Sequence, residues 1–307
     1  MATVQQFRCF LSTLEHGSIT AAAEELGYAQ PSVSGQIRQL ERSLGVTLFH
    51  RVGRGVVPSE AGLALRPYAE QVVQSVDAAR RAVADVRDVL SGTVHFGTFG
   101  TSRIYFGADL VAEILTRFPH VRLEIGGQHT SEVLDDVRRG RFEAAVVALP
   151  IDDDGLEVEP IMREELVYVS ANPQHLLKPV TPKALMEADL VLSDVSWRYE
   201  DPMRRQLARM VQEAGGILRP RVEVEDVETA LGVVARGLAD TVVALGVLHL
   251  LRERLPVSVG WVSLRPQLHE TFAIVRRPGV TLSKATNAVV DIVVARLNAL
   301  AEQARVP

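Results

Sequence analysis

The sequence has one cysteine, three lysines and no apolar run long enough to cross a bilayer. The single cysteine, Cys9, excludes an internal disulfide framework and a cysteine-rich metal site. Apolar residues at helical spacing surround it, which indicates a packing role rather than a redox switch. The N-terminal residues show no basic patch followed by an apolar core, so we expect a cytoplasmic protein with no membrane segment.

The composition is that of an ordinary globular protein of two or three domains. The chain has 307 residues, of which 47% are apolar and 23% charged. A net charge of −5 does not indicate a nucleic-acid partner, but net charge describes solubility rather than a local site. Residues 1–58 hold five arginines and four glutamates, so the acidic excess lies further along the chain.

The N-terminal sixty residues carry a helix-turn-helix pattern. A first helix is expected over 4–15 and a second, capped by Ser18 or Thr20, over 20–26; Pro31 then sits in the first turn of a third. Apolar residues of the third helix fall on one stripe: Val33, Ile37, Leu40 and Leu44. Two short helices with a tight turn, the second presenting a polar face, are typical of this motif.

A small hairpin and a long helix follow. Residues 46–51 and 55–57 predict a β-hairpin, or wing, with Arg51 at its base and Arg54 at its tip. Ser59 then caps a helix whose apolar residues alternate spacings of four and three: Leu65, Ala69, Val72, Val76, Ala79, Val83, Val86 and Leu90. Such a heptad seam needs a partner surface, and a second copy of the helix is the simplest one.

From residue 91 the pattern changes to alternating strands and helices. Strands are predicted at 93–97, 121–126, 144–149, 166–170, 190–193, 221–224, 241–245, 259–264 and 271–275. Helices are predicted near 104–117, 131–139, 202–214, 227–236, 246–254 and 283–303. This alternation predicts an α/β fold with mostly parallel sheets, and its length suits two lobes better than one.

The motifs of the first sixty residues resemble those of one family. They are Gly17-Ser18-Ile19-Thr20 with Ala22-Ala23 and Leu26, Gln30-Pro31-Ser32-Val33-Ser34 with Leu40-Glu41 and Leu44-Gly45, Leu48-Phe49-x-Arg51, and Ser59-Glu60-Ala61-Gly62. With the pattern of the rest of the chain, they resemble the LysR-type transcriptional regulators.

The resemblance implies a domain organisation and a function. It implies an N-terminal winged helix-turn-helix over 1–58 (the helix-turn-helix itself about 18–37), a linker and dimerisation helix over 59–90, and an effector-binding domain over 91–307. That domain resembles the type 2 periplasmic binding proteins, with lobe I over 91–161 and 268–307 and lobe II over 162–267. A homodimer formed through the linker helix, assembled into a homotetramer, would bind double-stranded promoter DNA, act on RNA polymerase, and change DNA bending when a small molecule binds.

The resemblance assigns the third helix to the major groove. With the apolar stripe turned inward, a step of 100° per residue places Pro31, Gly35 and Arg38 on the opposite face. The predicted DNA contacts are Gln30, Pro31, Ser32, Ser34 and Arg38, with Arg51 and Arg54 of the wing on the DNA backbone. The alternative is a merely solvated face, and solvent exposure is what we expect of Arg42.

Gly35 departs from the family pattern, in which this position often carries arginine or glutamine. A glycine inside a helix costs roughly 0.5–1 kcal/mol relative to alanine. Two explanations stay open: the helix backbone comes very close to DNA at this point, or one DNA contact is simply lost.

Three loops are predicted to form an effector site between the lobes, at 97–103, 126–131 and 193–198, with 244–247 as a further wall. The predicted contacts are Phe99, Thr101, Ser102, His129, Thr130 and Trp197. Hydroxyls and helix N-termini suit an organic acid as the effector, and no cofactor or metal is expected. The alternatives are that Thr101 and Thr130 only cap helices, that His129 lies in a surface loop and that Trp197 packs in the core.

Two other functions are weaker hypotheses. An enzyme is disfavoured because the sequence has no nucleophile elbow, zinc-protease motif or glycine-rich phosphate loop, and its eight histidines show no ligand spacing. A solute-binding protein would need neither a wing nor a heptad seam.

Overall fold

The computed structural model describes residues 2–53, 55–84, 90–197 and 199–303. The chain divides into two compact units, residues 1–88 and residues 89–307. The long helix predicted over 59–90 therefore belongs, over its described part, to the N-terminal unit. None of the helices in the described ranges is long and apolar enough to span a membrane.

The N-terminal unit contains the predicted helices and hairpin. Its elements are α1 (Val4–His16), α2 (Ile19–Leu26), α3 (Gln30–Leu44), β1 (Phe49–Val52), β2 (Gly55–Pro58) and α4 (Glu60–Ala84). Thr3 and Gln6 form a capping box at the start of α1. The Ser18 hydroxyl accepts a hydrogen bond from the Ala21 N–H and so caps α2, which decides between Ser18 and Thr20 as the cap.

The apolar stripe of α3 orients this helix in the unit. Val33, Ile37 and Leu40 are buried; Leu40 packs in one cluster with Phe10 of α1. Leu44 was predicted to continue the stripe, but it is 41% exposed. Leu44 is the last residue of α3, directly before the Gly45 cap.

Hydrogen bonds to the backbone fix the segment between α3 and α4. The Glu41 carboxylate accepts from the Leu48 N–H at 2.8 Å and from the Phe49 N–H at 3.4 Å. Ser59 donates from its N–H to the Leu48 carbonyl at 2.9 Å and accepts from the Gly62 N–H at 3.0 Å. The wing is thereby tied to the end of α3 and to the start of α4.

The seam of α4 has two parts. Leu65 and Ala69 pack against the core of the N-terminal unit, whereas Val72 is 37% exposed. The side chains of Val83 and Val86 lie outside the described residues. Leu90 was predicted to end the seam, but it packs against the core of the C-terminal unit, because the chain has by then entered that unit.

The C-terminal unit is a two-lobed α/β structure. Its strands are β3 (Gly92–Gly97), β4 (Val121–Gly126), β5 (Ala144–Leu149), β6 (Glu157–Ser170), β7 (Val191–Leu192), β8 (Val222–Glu223), β9 (Thr241–Ala244) and β10 (Gly260–Arg276). Its helices are α5 (Ser102–Arg117), α6 (Thr130–Arg138), α7 (Pro182–Glu187), α8 (Pro202–Glu213), α9 (Val227–Val234), α10 (Leu245–Leu251) and α11 (Lys284–Gln303).

The sheets are mixed, and the prediction of mostly parallel strands was wrong. The large sheet has the order β4-β3-β5-β10-β6-β9. Pairs of β3 with β4 and β5 are parallel, but β10 runs antiparallel to β5 and β6, as does β6 to β9. The reason is that β6 and β10 run from one lobe to the other, and their pairing joins both halves of the sheet.

These two crossing strands are longer than predicted. The predicted strands at 259–264 and 271–275 are parts of β10, and the one at 166–170 is the end of β6. The missing part of β6 contains alternating and adjacent charged residues, which obscure a strand pattern. The predicted lobe boundaries, after residues 161 and 267, fall inside these strands.

The Glu41 hydrogen bonds lead to a stability prediction. We expect Glu41→Ala to lower the free energy of unfolding of the N-terminal unit by about 1–3 kcal/mol, because two partly buried N–H groups lose a charged acceptor. Chemical denaturation of the full chain, followed by circular dichroism, measures this loss. The exposed Glu24 of α2 supplies the control: Glu24→Ala should change the same free energy by less than about 0.5 kcal/mol. Equal effects of both variants would contradict this role of Glu41.

Candidate DNA-binding surface and effector cavity

The predicted DNA contacts on α3 lie outside its buried stripe, in the first turn and on the opposite face. Gln30, Pro31, Ser32 and Arg38 are exposed, and Ser34 is half-buried. The Arg38 guanidinium donates through Nε to the Ser34 carbonyl at 3.3 Å, a solvent-facing bond that a phosphate or a base can replace. Arg51 is exposed on β1, where it pairs with Val56 of β2, and Arg54 lies outside the described residues.

Gly35 lies in the middle of this face. A Cβ built at this glycine meets no other atom of the protein within 4 Å, apart from its own helix backbone and neighbours. Packing within the chain therefore does not require a glycine here. The space that the missing side chain leaves is open on the side of α3 away from its buried stripe.

Cys9 is a core residue of the same unit. It is 1% exposed and packs with Ala22, Val33 and Ile37. Burial raises the pKa of its thiol, which keeps the sulfur in its unreactive protonated form. The structure thus places Cys9 among packing residues, as its spacing in the sequence suggested.

A cavity in the C-terminal unit lies between loops of its two lobes. Loops after β3 and β4 form one side, and the loop after β7 with the start of α8 forms the other. Five residues predicted to contact an effector line it: Phe99, Thr101, His129, Thr130 and Trp197. We refer to it below as the interlobe cavity.

Ser102 is the exception among the predicted contacts, and its assignment must be corrected. It is fully buried, and its hydroxyl donates to the Phe99 carbonyl at 2.5 Å. The side chain satisfies the backbone of the turn before α5 and does not reach the interlobe cavity. Thr101 and Ser102 are adjacent in the sequence, but only Thr101 lines the cavity.

His129 joins the two sides of the interlobe cavity. Its ring centroid lies 4.7 Å from that of Trp197, and its Nε2 lies 3.3 Å from a carboxylate oxygen of Glu225. The His129 side chain is only 10% exposed, so it is not a solvated loop residue. Phe99, which lines the same cavity, packs edge-on against Phe272 with 5.2 Å between ring centroids.

A group of carboxyls that sequence patterns did not reveal lies in the same cavity. Glu270 of β10, Asp194 after β7 and Asp201 before α8 all line it, together with Glu200. Asp201 also caps α8 by accepting from the Arg204 N–H at 2.7 Å. An acidic residue before a proline is an ordinary helix start in sequence, so only the fold reveals that Asp201 faces a cavity.

Burial and mutual repulsion raise the pKa values of these carboxyls. Burial, reinforced by the charge of Asp194, raises the pKa of Asp201 from 3.8 to about 7. The pKa of Glu270 lies well above its usual value because the residue is buried and because Glu164, Asp201 and Asp194 surround it. Burial also raises the pKa of Asp194. Several carboxyls are therefore crowded into a site of low dielectric constant, where each holds its proton to a higher pH than a solvated carboxyl does.

Glu164 of β6 lies directly opposite Glu270 of β10 in the strand register. Its carboxylate accepts from the Tyr105 hydroxyl at 2.5 Å and from the Gly246 N–H at 2.8 Å. A Cβ on Gly246 would lie 2.6 Å from a Glu164 carboxylate oxygen, so this close approach of the backbone requires a glycine. Like charges directly opposite on paired strands are destabilising, and the two donors offset this cost for Glu164.

Comparison with protein families decides the identity of the chain. A family model described as a bacterial regulatory helix-turn-helix protein of the lysR family matches residues 4–63. A second, described as the LysR substrate binding domain, matches residues 87–298, which is more than half of the chain. The chain belongs to the LysR family. It is a DNA-binding transcriptional regulator with a substrate-binding domain, and not an enzyme.

Individual relatives agree with this assignment. The RuBisCO operon transcriptional regulator of Allochromatium vinosum is 28% identical over 287 residues, covering 93% of each chain. The uncharacterized HTH-type transcriptional regulator YusT of Bacillus subtilis is 31% identical, covering 75% of each.

Solved structures share the fold at low sequence identity. A full-length OxyR variant from Pseudomonas aeruginosa superposes with a TM-score of 0.72 at 20% identity, covering 97% of this chain and 95% of that one. Full-length CbnR, solved in complex with its target DNA, gives a TM-score of 0.62 at 20% identity, covering 96% and 99%.

The charges in the cavity of this LysR-type regulator oppose the expectation of an organic acid. Among its described lining residues, four carry carboxyls and none is a lysine or an arginine. A carboxylate ligand would add a further negative charge to this group. The described residues also contain no cluster of three or more histidine, cysteine or acidic side chains able to hold a metal ion.

The raised pKa of Asp201 predicts how stability depends on pH. Between pH 3.8 and about 7, the folded chain holds this proton while the unfolded chain releases it, so the free energy of unfolding falls as pH rises. Asp201→Asn keeps a capping oxygen but cannot titrate. We expect scanning calorimetry from about pH 5 to pH 8 to show wild type losing at least about 1 kcal/mol more than Asp201→Asn. Identical pH dependence of the two proteins would contradict the raised pKa.

Proposed function

We propose that this regulator binds promoter DNA with the exposed face of α3 in the major groove and the wing on the backbone. The observation that carries the proposal is the exposed polar and basic face opposite the buried stripe. The proposed contacts are Gln30, Pro31, Ser32, Ser34 and Arg38 of α3, with Arg51 and Arg54 of the wing. Serine, glutamine and arginine side chains can reach phosphate oxygens or base edges.

The proposed assembly is a homodimer through α4, and a tetramer formed from two such dimers. The second half of the α4 seam supports it, because Val72 is exposed and Val76 is half-buried while Leu65 and Ala69 pack inside their own unit. Apolar side chains at heptad spacing are stabilised when a second helix covers them. A regulator of this kind would act in the cytoplasm, where it meets promoter DNA and RNA polymerase.

The interlobe cavity is the proposed effector site. Phe99, Thr101 and Thr130 come from loops of one lobe, and Trp197 comes from the other, so a ligand in the cavity contacts both. His129 already bridges the two sides through Trp197 and Glu225. A ligand that binds one arrangement of the lobes better than another shifts the population toward it. Such a shift is how an effector would change DNA bending and transcription.

The DNA-binding proposal predicts unequal effects of two arginines on the same helix. We expect Arg38→Ala to weaken binding at least about tenfold and to reduce the salt dependence by about one phosphate contact. Arg42→Ala should change affinity by less than about threefold, because Arg42 lies in the last turn. The measurement is a gel-shift titration, at several salt concentrations, on the DNA upstream of the gene for this chain.

The outcome of that titration can contradict the proposal in two ways. Absence of salt-sensitive binding by the wild type, at its own promoter and at neighbouring divergent promoters, would count against DNA recognition there. Equal losses for Arg38→Ala and Arg42→Ala would indicate that general positive charge, rather than this face of α3, carries the binding.

Gly35 offers a second test of the same surface. Gly35→Ala should raise the free energy of unfolding by about 0.5–1 kcal/mol, because the position is helical and a Cβ meets no neighbour. If the helix backbone closely approaches DNA, the same substitution should weaken operator binding about tenfold, since a methyl group then separates the surfaces. A more stable variant with unchanged affinity would instead show that Gly35 marks only a lost contact.

A further inference from the structure

We propose that the effector is a small organic cation, an amine or a guanidine, whose charged group pairs with Glu270 in the interlobe cavity. The inference rests on the proposed effector site and goes beyond it by naming the class of ligand. The sequence predicted an organic acid as the effector, whereas this proposal makes the effector positively charged.

The first observation is that Glu270 is buried without a partner. Its side chain is only 7% exposed, and it lines the interlobe cavity. Among the described residues, its carboxyl group accepts no hydrogen bond and pairs with no cationic side chain; its charged neighbours are the carboxyls of Glu164, Asp201 and Asp194. A buried carboxylate in this state is costly, and the cost is relieved by taking up a proton or by binding a cation.

The neighbouring carboxyls do have donors, which makes Glu270 distinct. Glu164 accepts from Tyr105 and Gly246. Asp194 accepts from the Ser193 hydroxyl at 2.7 Å, and Asp201 accepts from the Arg204 N–H. The hydrogen bonds of the fold therefore satisfy these three acidic side chains around Glu270 and leave that residue facing the cavity.

The basic groups nearby are already engaged. The Arg204 guanidinium donates to the Ser193 carbonyl at 2.9 Å and is paired with Glu223. His129 is paired with Glu225 and stacked on Trp197. Both His129 and Arg204 act to lower the pKa of Asp194, and Arg204 acts to lower that of Asp201, but none of these basic groups touches Glu270. A positive group is thus the missing complement of this part of the cavity.

The remaining walls suit an organic cation. Phe99 and Trp197 present aromatic surface in the cavity, and aromatic rings attract ammonium and guanidinium groups. The Ser131 hydroxyl, which also lines the cavity, is buried without a hydrogen-bond partner and offers an acceptor for a second N–H. Apolar and aromatic walls beside buried carboxyls favour a cation that carries hydrocarbon over a hydrated metal ion.

The position of Glu270 connects binding to the geometry of the lobes. Glu270 on β10 lies opposite Glu164 on β6, and these two strands pass between the lobes. A cation paired with Glu270 would offset the repulsion between Glu270 and Glu164 at this crossing point. Binding of the cation would therefore shift the equilibrium between open and closed arrangements of the lobes.

The test uses isothermal titration calorimetry on the full chain with matched probes of opposite charge. The cations are n-butylammonium, putrescine and ethylguanidinium; the anions are butyrate and benzoate; butyramide is the neutral probe. We expect at least one cation to bind wild type, and no anion to bind more tightly than it. Glu270→Gln should lower the affinity for that cation by at least about 30-fold, as expected when a buried ionic partner is removed.

The matched control is Glu165→Gln, a carboxyl on the opposite face of β6 from Glu164. It should leave cation affinity within about twofold of wild type. Thermal unfolding checks that Glu270→Gln folds; its melting temperature should equal or exceed that of wild type because the amide removes a repulsion. The second variant is Asp201→Asn, which keeps the cap of α8. It should also lower the affinity for the cation.

Binding of the cation should strengthen as pH rises from about 6 to 8, because a protonated carboxyl cannot attract it. The titratable groups that face Glu270 are Glu164 of β6, Tyr105 of α5, Asp194 and Asp201. His129 lies in the same cavity. An affinity that rises as pH falls would contradict the proposal.

Other outcomes also overturn it. Tighter binding of an anion than of any cation would refute the class of ligand while leaving the cavity as the effector site. Cation binding unaffected by Glu270→Gln would place the ligand elsewhere. If no probe binds while salt-sensitive promoter binding persists, the cation proposal fails and the DNA-binding function stands.

Discussion

The antiparallel pairing of β6 with β10 is the constraint on which the C-terminal unit depends. It joins the strands of both lobes into one sheet, and it places Glu164 directly opposite Glu270. Because two buried carboxyls repel, the surrounding residues must compensate: Tyr105 and the Gly246 N–H do so for Glu164. No described residue does so for Glu270. The strand register that holds the lobes together thus also creates the charge at their interface.

The N-terminal unit solves a different problem, which is to hold a polar helix face at a fixed angle. Three apolar side chains of α3 are buried on α1 and α2, and the Glu41 carboxylate ties the end of α3 to the wing. The face that remains outside can then be polar, basic and small without loss of packing. Gly35 fits this arrangement, because no neighbour inside the unit needs its missing side chain.

Electrostatics divides the chain in a way that net charge conceals. The acidic excess noted beyond residue 58 includes carboxyls concentrated around the interlobe cavity, whereas the exposed face of α3 carries no acidic residue among its predicted contacts. A cavity lined by carboxyls and a polar, basic surface suit partners of opposite charge, a cation and a polyanion. An overall charge of −5 predicts neither partner, because it averages over both sites.

The sequence by itself determined the features that depend on neighbours along the chain. Helix caps, the α3 stripe, the hairpin and the loops at 97–103 and 126–131 follow from residue spacing, and the dense N-terminal motifs identified the family. Tertiary structure decided the rest. Ser102 turned inward and Leu44 outward, Leu90 joined the other unit, and Glu270 entered a cavity. Each outcome depends on long-range strand pairing and packing, which place residues far apart in sequence side by side and which local pattern cannot specify.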